Sequence, residues 1–106
     1  MNEYSPNGSG NRKSQLPMSM QGKKVKFPVT FPLKAMMDAT IDDDINRGRL
    51  VAVFKNMGIN YLYSGKKMSS RGKYVSFTFK ITVVNKIQFE KLYAMLRQVE
   101  GLKYAL

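Results

Sequence analysis

The sequence predicts an α+β domain in which strands and helices follow one another as β-α-β-β-α-β, with both helices packed on one face of an antiparallel sheet. Three observations lead there. Val75, Phe77, Phe79, Ile81 and Val83 alternate strictly with Tyr74, Ser76, Thr78, Lys80 and Thr82, the period of a strand with one buried face. Leu50, Val53, Phe54 and Met57 recur at helical spacing, and so do Phe89, Leu92, Tyr93, Leu96 and Val99.

The elements can be justified in order. In "FPVTFPLKAMM", Phe27 to Met37, the residues Val29, Phe31, Leu33 and Ala35 share one side and Thr30, Pro32, Lys34 and Met36 the other. This reads as a strand, with Pro32 marking an edge or a kink. The first helix opens at Asp42, Asp43 and Asp44, whose carboxylates suit the free N–H groups and positive end of a helix, and stops at Gly58. A second strand is expected within Ile59 to Lys67, where no regular alternation appears. Met68 to Gly72 turn the chain into the third strand. Asn85, with Gln88 three residues on, forms a capping-box start for the second helix, which Gly101 is expected to end. The closing "LKYAL" alternates as a short last strand. This order is that of a ferredoxin-like sandwich.

Composition bounds the function. The chain has 106 residues, a formal charge of +11 and a pI near 10.0, a balance that favours anionic partners. It contains no Cys and no His, which removes thiol and imidazole catalysis, the usual zinc sites and any disulfide framework. The longest apolar run, Leu50 to Phe54, is far too short to span a membrane, and no apolar segment of signal-peptide type follows the N-terminus. A cytoplasmic location without membrane association is the expectation. Residues Met1 to Lys24 are rich in Asn, Ser, Gly, Pro and Lys with neither period, so they read as a disordered basic tail before a domain over 25–106.

The stretch "SSRGKYVSFTF" imitates the strand on which RNA-recognition domains stack bases. In that motif the third and fifth residues are aromatics facing away from the helices. Here those positions hold Lys73 and Val75, on the side that continues through Phe77, Phe79, Ile81 and Val83. Turning that side outward would bury Thr78, Lys80 and Thr82, at about 1–3 kcal/mol or more for each unpaired group. The apolar side therefore faces the helices, and the likeness to the RNA motif is one of letters.

Other motifs are more definite. "FPVTFPLKAM" carries F-P-x-x-F-x-x-K-x-M through Phe27, Pro28, Phe31, Lys34 and Met36. "SSRGKYVS" carries S-S-[KR]-G-x-Y-x-S through Ser69, Ser70, Arg71, Gly72, Tyr74 and Ser76, and "EKLYAML" and "LKYAL" follow in order. Together these resemble the YbeD-like family of small bacterial proteins of unknown function, over roughly residues 27 to 106. The resemblance implies a ferredoxin-like fold akin to ACT regulatory domains and no established enzymatic activity. The basic tail and the run Asp42 to Asp44 depart from the family pattern.

By analogy with ACT domains, whose strand–helix loop commonly helps hold an amino acid at a dimer interface, Met37 to Asp44 is the effector-loop candidate. It offers Asp38, Thr40, Asp42, Asp43 and Asp44, with a homodimer as an arrangement the analogy allows. The plainer reading is a helix capped by aspartates. A metal held by Asp42, Asp43 and Asp44 is disfavoured, because adjacent side chains at a helix start diverge. Ser69, Ser70, Arg71, Gly72, Lys73 and Tyr74 could present hydroxyls, a guanidinium and N–H groups to an anion, although a hairpin turn with Gly72 at positive φ explains them as well. Lys34 and Lys80 project from the same open face. No spacing assembles a nucleophile with its base or an acid–base pair, so no enzyme and no cofactor is expected. The expected role is that of a non-catalytic regulatory or adaptor domain with a protein partner or small anionic effector. The alternative is a nucleic-acid-binding module, for which weak, non-specific binding is expected.

Deleting residues 1–24 should leave the melting temperature nearly unchanged, since no apolar period ties them to the core. A loss of several degrees in thermal unfolding would show that the segment packs.

Overall fold

Alternation sets the sheet. The computed structural model describes residues 25–106, and the tail expected over Met1 to Lys24 lies outside the described residues. The elements are β1 (Val29–Asp38), α1 (Asp43–Met57), β2 (Asn60–Met68), β3 (Tyr74–Val83), α2 (Lys86–Leu96) and β4 (Leu102–Ala105). The strands lie in the order β2-β3-β1-β4, all antiparallel, which is the ferredoxin-like arrangement. Down the middle, Phe31 faces Ile81, Leu33 faces Phe79, Ala35 faces Phe77 and Met37 faces Val75. These side chains are buried together beneath Leu50, Val53 and Phe54 of α1 and Phe89, Leu92, Tyr93 and Leu96 of α2. Phe77 and Phe79 are 0 % exposed, so the helix-facing orientation read from the alternation holds. Rings extend the contact: Phe79 meets Phe54 edge-on at 5.0 Å, and Phe31 meets Phe89 at 5.8 Å.

Pro32 has a local reason. β1 lies between β3 and β4, but β4 is short. Lys34 and Leu106 exchange both backbone hydrogen bonds, at 3.0 and 2.8 Å. Two residues earlier on the same side of β1, Pro32 sits where β4 offers no partner, so its missing N–H breaks no ladder bond there. The strand is internal by order yet behaves as an edge at Pro32.

The helix ends differ in part from expectation. Gly58 closes α1 with φ 67°, and the Ile59 N–H returns to the Phe54 carbonyl at 2.9 Å, as the spacing predicts. At the start, Asp42 occupies the cap position but its side chain makes no capping hydrogen bond. The neighbouring carboxylates are drawn elsewhere, Asp43 to Lys66 of β2 and Asp44 to Arg47. Asn85 does cap α2, accepting from the Gln88 N–H at 2.8 Å, while Gln88 reaches back to the Val84 N–H. Gly101 does not end this helix. α2 stops at Leu96, and the Gln98 and Val99 N–H groups bond three residues back in tighter turns that still carry Val99 against the core. Gly101, with φ 90°, instead admits the chain to β4.

Phe77→Ala and Phe79→Ala should each lower stability by roughly 3–5 kcal/mol in chemical denaturation. Thr78→Ala and Lys80→Ala, on the opposite face, should be close to neutral.

Candidate functional site

The face of the sheet away from the helices is built by three registers. Opposite Thr30, Pro32, Lys34, Met36 and Asp38 of β1 lie Thr82, Lys80, Thr78, Ser76 and Tyr74 of β3. Asn60, Leu62 and Lys67 of β2 pair with Thr82, Lys80 and Ser76, and Tyr104 of β4 pairs with Met36. Lys34 and Lys80 are thus diagonal neighbours on adjacent strands, as the usual strand order implies. Lys67 joins them through a shift of register between Tyr63 and Gly65. Before it, Tyr61 and Tyr63 turn to the helix side. After it, Lys66 takes that side and meets Asp43, and Lys67 turns to the open face. The carboxylate of Asp43 raises the pKa of Lys66 above its ordinary value.

Charge is sorted between the two layers. All ion pairs found among the described residues join groups of the helix layer or of its contact with β2: Arg47–Asp44, Arg49–Glu100, Lys66–Asp43 and Lys86–Glu90. None reaches Lys34, Lys67 or Lys80. At the margin of the open face, Lys103 lies 5.6 Å from the centre of the Tyr74 ring. The acid of that face, Asp38, sits at its corner with one oxygen engaged by the Thr40 N–H and hydroxyl, at 2.9 and 2.8 Å. The bonds from Thr40 hold Asp38 below its ordinary value of 3.8. A pKa lowered on folding favours the fold above the ordinary carboxylate range, and that contribution is lost as pH falls through the folded value.

The turn candidates are partly engaged within the turn. Ser69 Oγ accepts the Tyr74 N–H at 3.1 Å, its carbonyl accepts the Gly72 N–H at 3.0 Å, and Gly72 adopts φ 72°. Ser70, Arg71 and Lys73 remain exposed around this hairpin, beside Tyr74 on the open face.

The loop candidates do not converge. Asp38 and Thr40 form one local turn, while Asp42, Asp43 and Asp44 spread around the start of α1. Among the described residues no group of three potential metal-ligating side chains comes together. What fixes the loop is a residue that periodicity does not single out. Asn46, 0 % exposed, donates from Nδ2 to the Asp38 carbonyl at 2.9 Å and, more weakly, to that of Ile41. Its Oδ1 is buried without a hydrogen-bond partner beside Gly101, where an added Cβ would stand 2.9 Å from Ile41 Cδ1. Arg49 fastens the same turn by donating to the Glu100 carbonyl at 3.1 Å.

Fold and face together define a small ferredoxin-like α+β domain of ACT-like architecture, with an open basic sheet surface. The chain belongs to the family described as protein of unknown function DUF493, whose model matches residues 22–106. A UPF0250 protein from Shewanella piezotolerans is 39% identical over 82 residues, covering 77% of this chain and 90% of the relative. Another, from Shewanella woodyi, is 40% identical over 83 residues with the same coverage of each. The YbeD-like resemblance carried by the motifs therefore holds. The solution structure of protein HP0495 from H. pylori superposes with a TM-score of 0.60 at 12% identity, covering 89% of this chain and 98% of that one. The ACT domain of a GTP pyrophosphokinase from Chlorobium tepidum superposes with a TM-score of 0.53 at 14% identity, covering 74% and 96%. At these identities the likeness is one of fold.

Asn46→Ala should cost about 1–3 kcal/mol, because it strips the Asp38 carbonyl of a buried donor. Asn46→Asp should cost more, since it sets a carboxylate against carbonyl oxygens. Denaturation, together with amide exchange of Ala39 to Asp42, reads both effects, and an unchanged loop would show that Asn46 does not hold it.

Proposed function

We propose that this chain is a non-catalytic regulatory or adaptor domain whose open sheet face holds an anionic partner, either an acidic surface of another protein or a small anionic effector. The observation that carries this reading is the sorting of charge. The ion pairs on the helix side engage Arg47, Arg49, Lys66 and Lys86, and Lys34, Lys67 and Lys80 stand on the other face without any. Within residues 25–106 there are 14 basic and 6 acidic residues, a balance of +8, and Asp38 brings an acid only to the corner of the lysine-bearing face. The ACT-like architecture agrees with a regulatory role, and the absence of Cys and His leaves no thiol or imidazole for catalysis.

Nucleic acid is the competing anion. Tyr74 and Tyr104 are the aromatics of the open face, and β1 lies between their strands, so no row of rings is laid out to stack successive bases. RNA and DNA should therefore bind as polyanions, through phosphate alone.

Fluorescence titration of random and structured RNAs across a salt series should show weak, sequence-blind binding that is mostly lost near about 0.15 M salt. Lys34→Glu/Lys80→Glu should weaken it further. Tight binding of one RNA that survives this salt would instead make the protein a nucleic-acid-binding module.

A further inference from the structure

We propose that the open face docks an acidic amphipathic segment of another protein, with carboxylates set on Lys34, Lys67 and Lys80 and apolar side chains on a ridge of Met36, Tyr104 and Leu106. This rests on the reading of the face as an anion-holding surface and narrows the anion to one chemistry.

The ridge follows from the β1–β4 register. Met36 stands opposite Tyr104, and Leu106 is hydrogen-bonded to Lys34 at the next position on the same face. Tyr104 is 47% and Leu106 51% exposed, although Tyr104 lies in β4 and Leu106, just after it, exchanges backbone hydrogen bonds with Lys34. Leu62 stands beside Lys80 on the far side of the sheet and is exposed as well. Cross-strand neighbours on one face are about 5 Å apart, so Leu106 and Lys34 can meet one apolar and one acidic side chain of the same segment. A ligand that is only ionic, such as phosphate or polyglutamate, would leave the ridge in water.

Other occupants fit less well. A second copy placed face to face would set Lys34, Lys67 and Lys80 against their own copies, with only Asp38 to offset them, and it is already tied to Thr40. Nucleic acid supplies phosphate for the lysines, but its bases gain little from Met36 and Leu106. Strand addition is discouraged along β2 by its register shift and lysines and beside the uncovered start of β1 by Pro32, while β4 offers an edge of only four residues.

The test is a backbone NMR titration of the full chain at about 0.15 M salt. The probes are a synthetic helical peptide with Glu on one face and Leu on the other, polyglutamate of equal charge, and oligouridylate of equal charge. The amphipathic peptide should shift Lys34, Met36, Lys80, Tyr104 and Leu106 and bind roughly tenfold tighter than either other probe. Tyr104→Ser/Leu106→Ser should remove that advantage while leaving polyglutamate binding unchanged, and Lys34→Glu/Lys80→Glu should weaken every probe. Both pairs are solvent-exposed, so an unchanged melting temperature certifies each variant. Equal affinity for polyglutamate on the same face overturns this proposal and leaves the anionic face standing. Tighter oligouridylate binding overturns it in favour of nucleic acid. Shifts confined to the helix layer, or no binding by any probe, overturn both this proposal and the reading it rests on.

Discussion

The pairing of β1 with β3 is the constraint on which the rest of this domain depends. Four apolar pairs, Phe31 with Ile81, Leu33 with Phe79, Ala35 with Phe77 and Met37 with Val75, lie on one side of the two central strands. Because side chains alternate with a period of two, a slip of one residue would exchange this set for Pro32, Lys34, Met36 and Asp38 on β1. The helices then have no choice of face. α1 and α2 must cover the apolar side, and the lysines of the other side are left to water or to a partner.

Once the helices are committed to one side, the charges follow. Asp43 and Asp44 open α1 and Glu100 follows α2, and these acids draw Lys66, Arg47 and Arg49 into ion pairs around the helix layer. Such exposed pairs contribute about 0–1 kcal/mol each, so their importance is not in stability. With Lys86–Glu90 they engage four of the six acids within residues 25–106. The open face keeps its positive charge because, apart from Asp38 at its corner, the acids lie at the start of α1 and in and just after α2.

Most of this was legible in the sequence, and where it was not, a physical cause can be named. β3 announced itself because both of its faces are constrained, one by the core and one by solvent. β2 did not. It is an edge strand with Leu62, Tyr63, Lys66 and Met68 all exposed, and the extra residue between Tyr63 and Gly65 inverts its alternation midway. That inversion also hid Lys67 from the candidate site, since by parity it would share the side of Tyr61 and Tyr63. The register of β4 was equally silent. "LKYAL" shows alternation, but the irregularity at Met36 and Met37 decides that Tyr104 and Leu106 join the open face. Asn46 gave no signal because an Asn inside an amphipathic helix reads as part of its wet side. Only its bonds to the carbonyls of Asp38 and Ile41 explain its burial. Gly101 misled for a related reason: a glycine after an apolar stripe suggests a helix stop, whereas here the approach of Ile41, Asn46 and Arg49 requires it.

The edges leave the open face as the surface best suited to the proposed recognition. A four-stranded open sheet exposes two rows of backbone donors and acceptors, and these are its most reactive surfaces toward other chains. On the β1–β4 side the uncovered part of β1 begins at Pro32, which has no N–H to offer. On the β2 side the register shift twists the strand away and Lys66 and Lys67 line it, with Lys66 anchored to Asp43. The β2 edge and the uncovered start of β1 are blunted by residues that do nothing for the core, and the β4 edge is only four residues long. The open face is not protected in this way. It places Tyr104 and Leu106 half in water beside unpaired lysines, an arrangement that stabilises nothing within the chain itself. This is the surface across which the proposed anionic partner would lie flat over the strands.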